Sequence, residues 1–283
     1  MVLVIEIAIL YFRLAMSILQ KISDYIFMPQ RFRGLQYYCM FVGYPRSGHS
    51  LVGSILDAHP NCIISHELDA LGILNEMRSR KQLFEQIELN SAKYAREGRK
   101  WTGYTYDIEG QWQGRLKEIK IIGDKKGGSS TDHFDADSQV IDRLEEFVKL
   151  PILIIHVIRN PFDVISTRFL KGENPPQLKG EELLNEIILS HIRMTEAIGR
   201  LRNTREMFDL RSEDLKSDPR LTLNHLLKFL NLDVLDDFLD ASVSIIDTKE
   251  SRTRKKVNWL DYQVSKIEDL ICQHDFLEGY TFK

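Results

Sequence analysis

The chain has 283 residues, 43% hydrophobic and 28% charged, with a formal net charge of −3 at pH 7. Such a length and composition describe one or two folded domains with a substantial core, and exclude a disordered, low-complexity or repeat-built chain. The near-balanced charge gives no global attraction to nucleic acid, which is not an expected partner, so any anion site has to be local.

Residues 1–28 are strongly apolar, and Pro29 then interrupts any helix. On a helical wheel Glu6, Arg13, Ser17, Gln20, Lys21 and Asp24 share one stripe roughly 100° wide, which predicts an N-terminal apolar helix with a narrow polar face. It would lie on a membrane or partner, pack on the rest of the protein, or act as a signal anchor; Glu6 and Arg13 would be costly in mid-bilayer. The basic n-region and cleavage pattern of a signal peptide are absent. Cys39, Cys62 and Cys272 are widely spaced among apolar residues, as expected of reduced, mostly buried thiols. These features point to the cytoplasm or the cytoplasmic face of a membrane, with a signal-anchored form as the alternative.

Tyr37 to Val42 reads as a strand running into a loop at Gly43, and Ser50 to His59 as a helix stopped by Pro60. Cys62 to Ile64 is a second short strand, with Glu67 just beyond it. Leu68 to Gly98 is charged and mostly helical in pattern, and Trp101 to Gln113, aromatic and Gly-containing, reads as an ordered loop. Ile119 to Ile122 is a third strand, leading into the turn Gly123 to Gly128, and Ser138 to Lys149 is an amphipathic helix. Ile152 to Ile158 is the near-continuous apolar run of a parallel strand covered on both faces, and it ends at Arg159-Asn160-Pro161. Gly172 to Gly180, with Pro175 and Pro176, has the composition of a loop and is expected to be a mobile lid. Glu181 to Arg205 predicts a long helix, Met207 to Leu210 a last strand, and Asp218-Pro219 the cap of a helix through Leu230. The remainder reads as helix and loop, with a basic run at Arg252, Arg254, Lys255 and Lys256. This alternation predicts an α/β fold, a parallel sheet flanked by helices on both faces. Ligands of such sheets bind at the carboxyl ends of the strands, where the Arg46 loop, Glu67, the Asp124-Lys125 turn and Arg159 all fall.

Gly43-Tyr44-Pro45-Arg46-Ser47-Gly48-His49-Ser50 has the spacing of the phosphate loop G-x-x-x-x-G-K-[ST], with His49 in place of the lysine. Backbone N–H groups at a helix start still cradle a tetrahedral anion, and the cation here is Arg46. The eight histidines are scattered, and His66-Glu67 lacks the second histidine of H-E-x-x-H, so no metal is expected.

Pro45 to Leu51, continuing to Leu56-Asp57-Ala58-His59-Pro60, resembles the 5′-phosphosulfate loop and following helix of sulfotransferases that use 3′-phosphoadenylyl sulfate (PAPS). Val157 to Arg168 resembles that family's 3′-phosphate strand, loop and helix. Ser212 to Pro219 is similar to its Tyr-Glu-Asp-Leu element, with Ser212 replacing the tyrosine, and Leu277-Glu278-Gly279-Tyr280 to its Leu-Gly-Tyr ending. The resemblance covers residues 37–283, and implies a sulfotransferase domain of P-loop NTPase-like fold. The Gly-x-x-Gly-x-x-Lys segment of cytosolic small-phenol enzymes is not evident, so the likeness is nearer to the carbohydrate, tyrosylprotein and bacterial members.

The resemblance implies PAPS as co-substrate and a hydroxyl on a sugar, lipid, peptide or small molecule as acceptor. Its 5′ end would be held by Arg46, Ser47, Gly48, His49, Ser50 and Leu51, and its 3′-phosphate by Arg159, Ser166, Thr167 and Lys256. Lys125 would stand near the transferred group, as a second cation beside the leaving oxygen. Glu67, seven residues after Pro60 as in the tyrosylprotein enzymes, would be the general base, and a partly desolvated strand-end carboxylate is expected to have a raised pKa. His49, His66 and His133 are the alternative bases. Plainer roles stand beside these: a loop-filling His49, a helix-start charge at Glu67, a solvated Lys125, and an Arg159 paired with Asp163. Trp101, Tyr104, Tyr106 and Trp112 are either an aromatic platform for the acceptor or core plugs. Two other readings stay open: a Mg²⁺-dependent P-loop kinase or hydrolase with a shifted cation, and a non-catalytic nucleotide-binding scaffold.

Overall fold

The computed structural model describes residues 28–115, 118–171 and 177–283. The expected helix over 1–28, Met28 apart, and residues 172–176 of the expected lid lie outside the described residues. Strands β1 (Tyr37–Gly43), β2 (Cys62–His66), β5 (Ile121–Lys125), β6 (Ile152–Ile158) and β7 (Met207–Arg211) form one parallel sheet in the order β2-β5-β1-β6-β7. Two short strands, β3 (Lys100–Trp101) and β4 (Tyr104–Thr105), make a separate antiparallel hairpin. Ten α-helices surround them among the described residues: α1 His49–Ala58, α2 Arg80–Arg96, α3 Gly127–Ala136, α4 Val140–Val148, α5 Pro161–Lys171, α6 Gly180–Arg202, α7 Ser212–Ser217, α8 Pro219–Phe229, α9 Asp236–Ser244 and α10 Asp261–Gln273. None of these helices is long and apolar enough to cross a membrane.

The central strand shows why the fold is doubly covered. Side chains alternate along β1, so Tyr38, Met40 and Val42 join one core with Ile63, Ile122, Leu144 and Leu201. Cys39 and Phe41 join the other core, with Val52, Ile55, Ile155 and Leu226. A third cluster, Tyr44, Ile158, Phe162, Ile187, Ile267 and Leu277, buries the C-terminal helices beyond the strand ends. Cys39 and Cys62 are buried free thiols, and Cys272 is exposed.

Three elements differ from their sequence reading. The helix expected over Leu68 to Gly98 begins only at Arg80, where the Ser79 hydroxyl accepts from Gln82 N–H at 3.3 Å. Upstream, the buried Asp124 carboxylate accepts from the N–H groups of Leu68 (3.2 Å) and Ala70 (2.9 Å), which satisfies the backbone in a turn instead of a helix. Strand β5 runs on through Gly123-Asp124-Lys125, with His66 paired to Lys125, so the expected turn is a strand end. Helix α3 occupies a stretch whose glycines argue against helix. Its reason is close packing: a Cβ at Gly127 would stand 2.3 Å from His49 Nε2, and one at Gly128 3.1 Å from Pro45 Cγ.

Gly123 is equally constrained, since a Cβ there would lie 2.0 Å from the Cys39 carbonyl oxygen of β1. Gly123→Ala is expected to push β1 and β5 apart and cost at least about 3 kcal/mol. Denaturant unfolding checks this; an unchanged midpoint would contradict it.

Candidate active site

The anion loop leaves β1 through Gly43 (φ 137°) and enters α1 after Gly48 (φ 108°), and Arg46 between them is also left-handed at φ 71°. A non-glycine residue held there is uncommon and strained, and such residues cluster at functional sites. The loop closes through a Ser47 N–H to Tyr44 carbonyl bond of 3.3 Å. Ser47 is fully buried, and its hydroxyl has no hydrogen-bond partner among the described residues. A buried orphan hydroxyl beside the start of a helix fits a tetrahedral anion, whose oxygens accept from it and from first-turn N–H groups. Arg46, Ser50 and Leu51 are half-buried and Gly48 is exposed along the same loop.

His49, expected among the donor contacts, turns its ring away. Its Nε2 lies 3.1 Å from the Val42 carbonyl, and the ring fills the space that Gly43 and Gly127 leave. Burial pushes its pKa down to about 4, so the ring is neutral at pH 7. What His49 contributes to the loop is its place in the first turn of α1.

Facing the loop is a three-residue charge cluster. Lys125 is 1% exposed; its Nζ donates to Glu67 Oε1 and, at 3.1 Å, to Ser50 Oγ. Lys126 Nζ lies 2.7 Å from Glu67 Oε2. Lys125 is therefore a buried strand residue and not a solvated turn lysine, and its stem crosses α1 where a Cβ at Gly53 would meet it at 2.7 Å. Glu67 follows β2 in the left-handed region at φ 59°. The raised pKa expected for it is not found. Burial alone pushes Glu67 up, but Lys125 and then Lys126 outweigh burial and hold it down at about 2. Lys126 was not anticipated; its only sequence signal was adjacency to Lys125.

The alternative bases have other partners. His66 stacks on Tyr94 at 3.8 Å and meets the Trp101 edge at 4.9 Å, and burial pushes it down to about 3. His133 Nε2 lies 3.1 Å from Asp69 Oδ1.

At the end of β6, Arg159 reaches four oxygens. Nη1 donates to the Arg46 carbonyl at 2.8 Å, and Nη2 to the hydroxyls of Ser251 (2.6 Å), Thr167 (3.3 Å) and Thr253 (3.4 Å). Thr253 lies inside the stretch read only as a basic run and Ser251 just before it, so the charges hid the hydroxyls. Asp163 is paired instead with buried Arg254, at 2.6 Å. Lys255 and Lys256 are exposed. Ser166 faces the other way, buried and accepting from Trp259 Nε1 at 3.2 Å, so Thr167 alone of the expected pair meets Arg159.

The β3-β4 hairpin carries Trp101 (41% exposed) and Tyr104 (61% exposed) beside this ground, while Trp112 donates its backbone N–H to Ala58. Tyr104 is within electrostatic reach of Arg159, and the half-buried Tyr106 of Arg46. At the hairpin's base, buried Arg99 is bound to Asp57 and, through Nε at 2.7 Å, to Gln113.

A model of the sulfotransferase family matches residues 40–237. Among solved structures, sulfotransferase STF9 from Mycobacterium avium is similar at TM-score 0.52 and 10% identity, over 92% of this chain and 81% of that one. The sulfotransferase domain of the curacin biosynthetic pathway is similar at TM-score 0.53 and 14% identity, over 84% of this chain and 97% of that one. Curated protein sequences give no match. At these identities the two structures speak for the fold alone, and it is the family match, running from β1 through Lys125 and Arg159 to the first residues of α9, that settles the kinship: the chain belongs to the sulfotransferase family.

Proposed function

We propose that this protein is a PAPS-dependent transferase that moves a sulfuryl group to a hydroxyl acceptor. What carries this reading is two candidate anion cradles on neighbouring strand ends, the Ser47 loop and the Arg159 fork, joined by the bond from Arg159 to the Arg46 carbonyl. A donor with a 5′-phosphosulfate and a 3′-phosphate needs two such cradles, and a triphosphate nucleotide needs one. The loop with Arg46, Ser47 and Ser50 takes the phosphosulfate. Arg159 takes the 3′-phosphate, with the hydroxyls of Thr167, Ser251 and Thr253 turned from the guanidinium to the phosphate oxygens. Asp124, the strand-end carboxylate that a Mg²⁺-dependent hydrolase would want, is engaged by Ser65, Leu68 and Ala70, which weighs against that alternative.

In the transfer, the acceptor oxygen forms a bond to sulfur as the bond from sulfur to the phosphate oxygen breaks. The electron pair stays with the leaving phosphate, where Lys125 and Arg46 offset its charge. The acceptor proton passes to Glu67. The lysines keep Glu67 ionised, its basicity rises as they turn to the sulfuryl group and leaving phosphate, and a loose transition state asks for proton transfer only as the new bond forms.

The test is labelled-donor transfer together with binding of PAPS and its product, 3′-phosphoadenosine 5′-phosphate (PAP). Arg159→Ala is expected to weaken PAP about tenfold to a hundredfold while leaving adenosine 5′-phosphate unchanged. Glu67→Gln is expected to lower transfer by about 10²–10⁴. Wild-type protein that binds PAP no better than ATP would overturn the reading.

A further inference from the structure

Resting on the donor site proposed above, the geometry points to Glu67 as an internal stand-in for the donor's sulfonate: its carboxylate engages the two ammonium groups, Lys125 and Lys126, on which that sulfonate is received, so donor binding is an exchange of anions. Each carboxylate oxygen has its own cation, Oε1 with Lys125 and Oε2 with Lys126. A sulfonate presents the same feature, two or more oxygens on one centre, to the same pair.

Both lysines leave backbone that stands against the donor loop. Lys125 is bonded to Ser50 at the start of α1, with its stem held in the space that Gly53 provides. Lys126 immediately precedes α3, which is seated on the loop by Gly127 against His49 and Gly128 against Pro45. The Thr131 hydroxyl ties the same helix to Gly43 by accepting from its N–H at 2.9 Å. Lys125 is the anchored member at 1% side-chain exposure, whereas Glu67 and Lys126 are each 26% exposed; Glu67 sits just past the end of β2 with its exposed side open to solvent, and it is the member that the exchange moves.

Two like charges cannot share one cation pair without cost, so an arriving sulfonate displaces the carboxylate. Displacement turns Glu67 toward the acceptor only when a donor is present, which makes donor-first binding a property of the site. Lys126 is then a positioning residue, holding the base in reserve. After transfer the product nucleotide carries no sulfonate. Glu67 gives the acceptor's proton to solvent from its exposed side and returns to the lysines, which favours product release.

Calorimetric binding of PAPS and of PAP, each without acceptor, tests this in wild type and Glu67→Gln. In wild type the sulfonate adds no affinity, so PAPS binds no tighter than PAP. In Glu67→Gln the competitor is neutral, and PAPS is expected to tighten by about tenfold or more with PAP within twofold of wild type, although transfer is lost. Unchanged PAP affinity also reports that the variant is folded. PAPS and PAP shifting equally, or PAPS not tightening, would overturn the exchange while leaving the donor site standing. If Glu67→Gln binds neither nucleotide, the wild-type ratio decides alone: PAPS binding more than about tenfold tighter than PAP would overturn it. Wild type binding neither nucleotide would instead defeat the underlying reading of the site.

Discussion

Arg99→Met is expected to destabilise the protein by about 3–5 kcal/mol, because it leaves the Asp57 carboxylate buried without its counter-charge. The side chains of Arg99 and Asp57 are 1% and 0% exposed. Burial pushes the Asp57 carboxyl up even against the pull of Arg99, a sign of how poorly the site tolerates a lone anion. Asp57 would keep only neutral donors, the Ser91 hydroxyl at 2.8 Å and the Ile64 N–H at 2.8 Å. The pair also joins α1, which follows the candidate anion loop, to the base of the aromatic hairpin, so its loss reaches the candidate site through the backbone of residues 99–106. The Arg99 carbonyl accepts from Tyr94 OH at 3.2 Å and from Tyr106 N–H at 3.0 Å, which fixes both ends of that segment. Adding Asp57→Asn to Arg99→Met is expected to recover part of the stability, since an amide keeps an acceptor for Ile64 and carries no charge to desolvate. Urea unfolding of the single and double variants measures this. A single variant within about 1 kcal/mol of wild type would mean that the pair is held no more tightly than a surface bridge.

The frame of the fold was legible wherever burial follows a simple period. Ile152 to Ile158 is apolar but for His156 because both faces of β6 are covered, and its bounds match those expected. Pro60 and Asp218-Pro219 marked real helix boundaries because proline acts locally. The misses share a different cause: a polar or flexible residue used for one long-range contact. Gly127 and Gly128 look like a turn until α3 is seen lying on Pro45 and His49, and Asp124-Lys125 looks solvated until both prove buried at the end of β5. The candidate site could be picked out by its cations in the sequence, its geometry less so. Arg46, Lys125 and Arg159 stand around one loop, but which way His49 and Ser166 face depends on neighbours 78 and 93 residues away, Gly127 and Trp259. No local pattern encodes that. The low pKa of Glu67 was hidden for the same reason, since it needs Lys126 across the sheet end as well as Lys125.

Acid is expected to unfold this protein early, and the cause lies in buried histidines. His49 and His191 are buried, and burial holds them at about 4 and about 3, with Arg168 pushing His191 further in the same direction. In the unfolded chain each titrates near pH 6.5. Above that pH neither state binds the proton and stability is level. As the pH falls below 6.5 the unfolded chain takes up protons that the folded protein refuses, so stability drops by about 1.4 kcal/mol per pH unit for each group until its folded pKa is reached. At pH 5 that is about 2 kcal/mol apiece and about 4 kcal/mol for the two, a large part of the roughly 5–15 kcal/mol that holds a typical domain together. His156, also buried and held low, adds to the slope, whereas the buried carboxyls of Asp57 and Asp124, held high, oppose it by gaining protons in the folded state. A difference measurement isolates one residue from that background. The His191 ring stacks on Tyr44 at 4.2 Å, and neither of its nitrogens has a hydrogen-bond partner among the described residues, so His191→Phe keeps the packing and removes only the proton site. Urea unfolding of wild type and His191→Phe at pH 7.5 and pH 5 should show the variant losing about 2 kcal/mol less on acidification. Parallel losses in the two proteins would mean that His191 takes up its proton without leaving the fold.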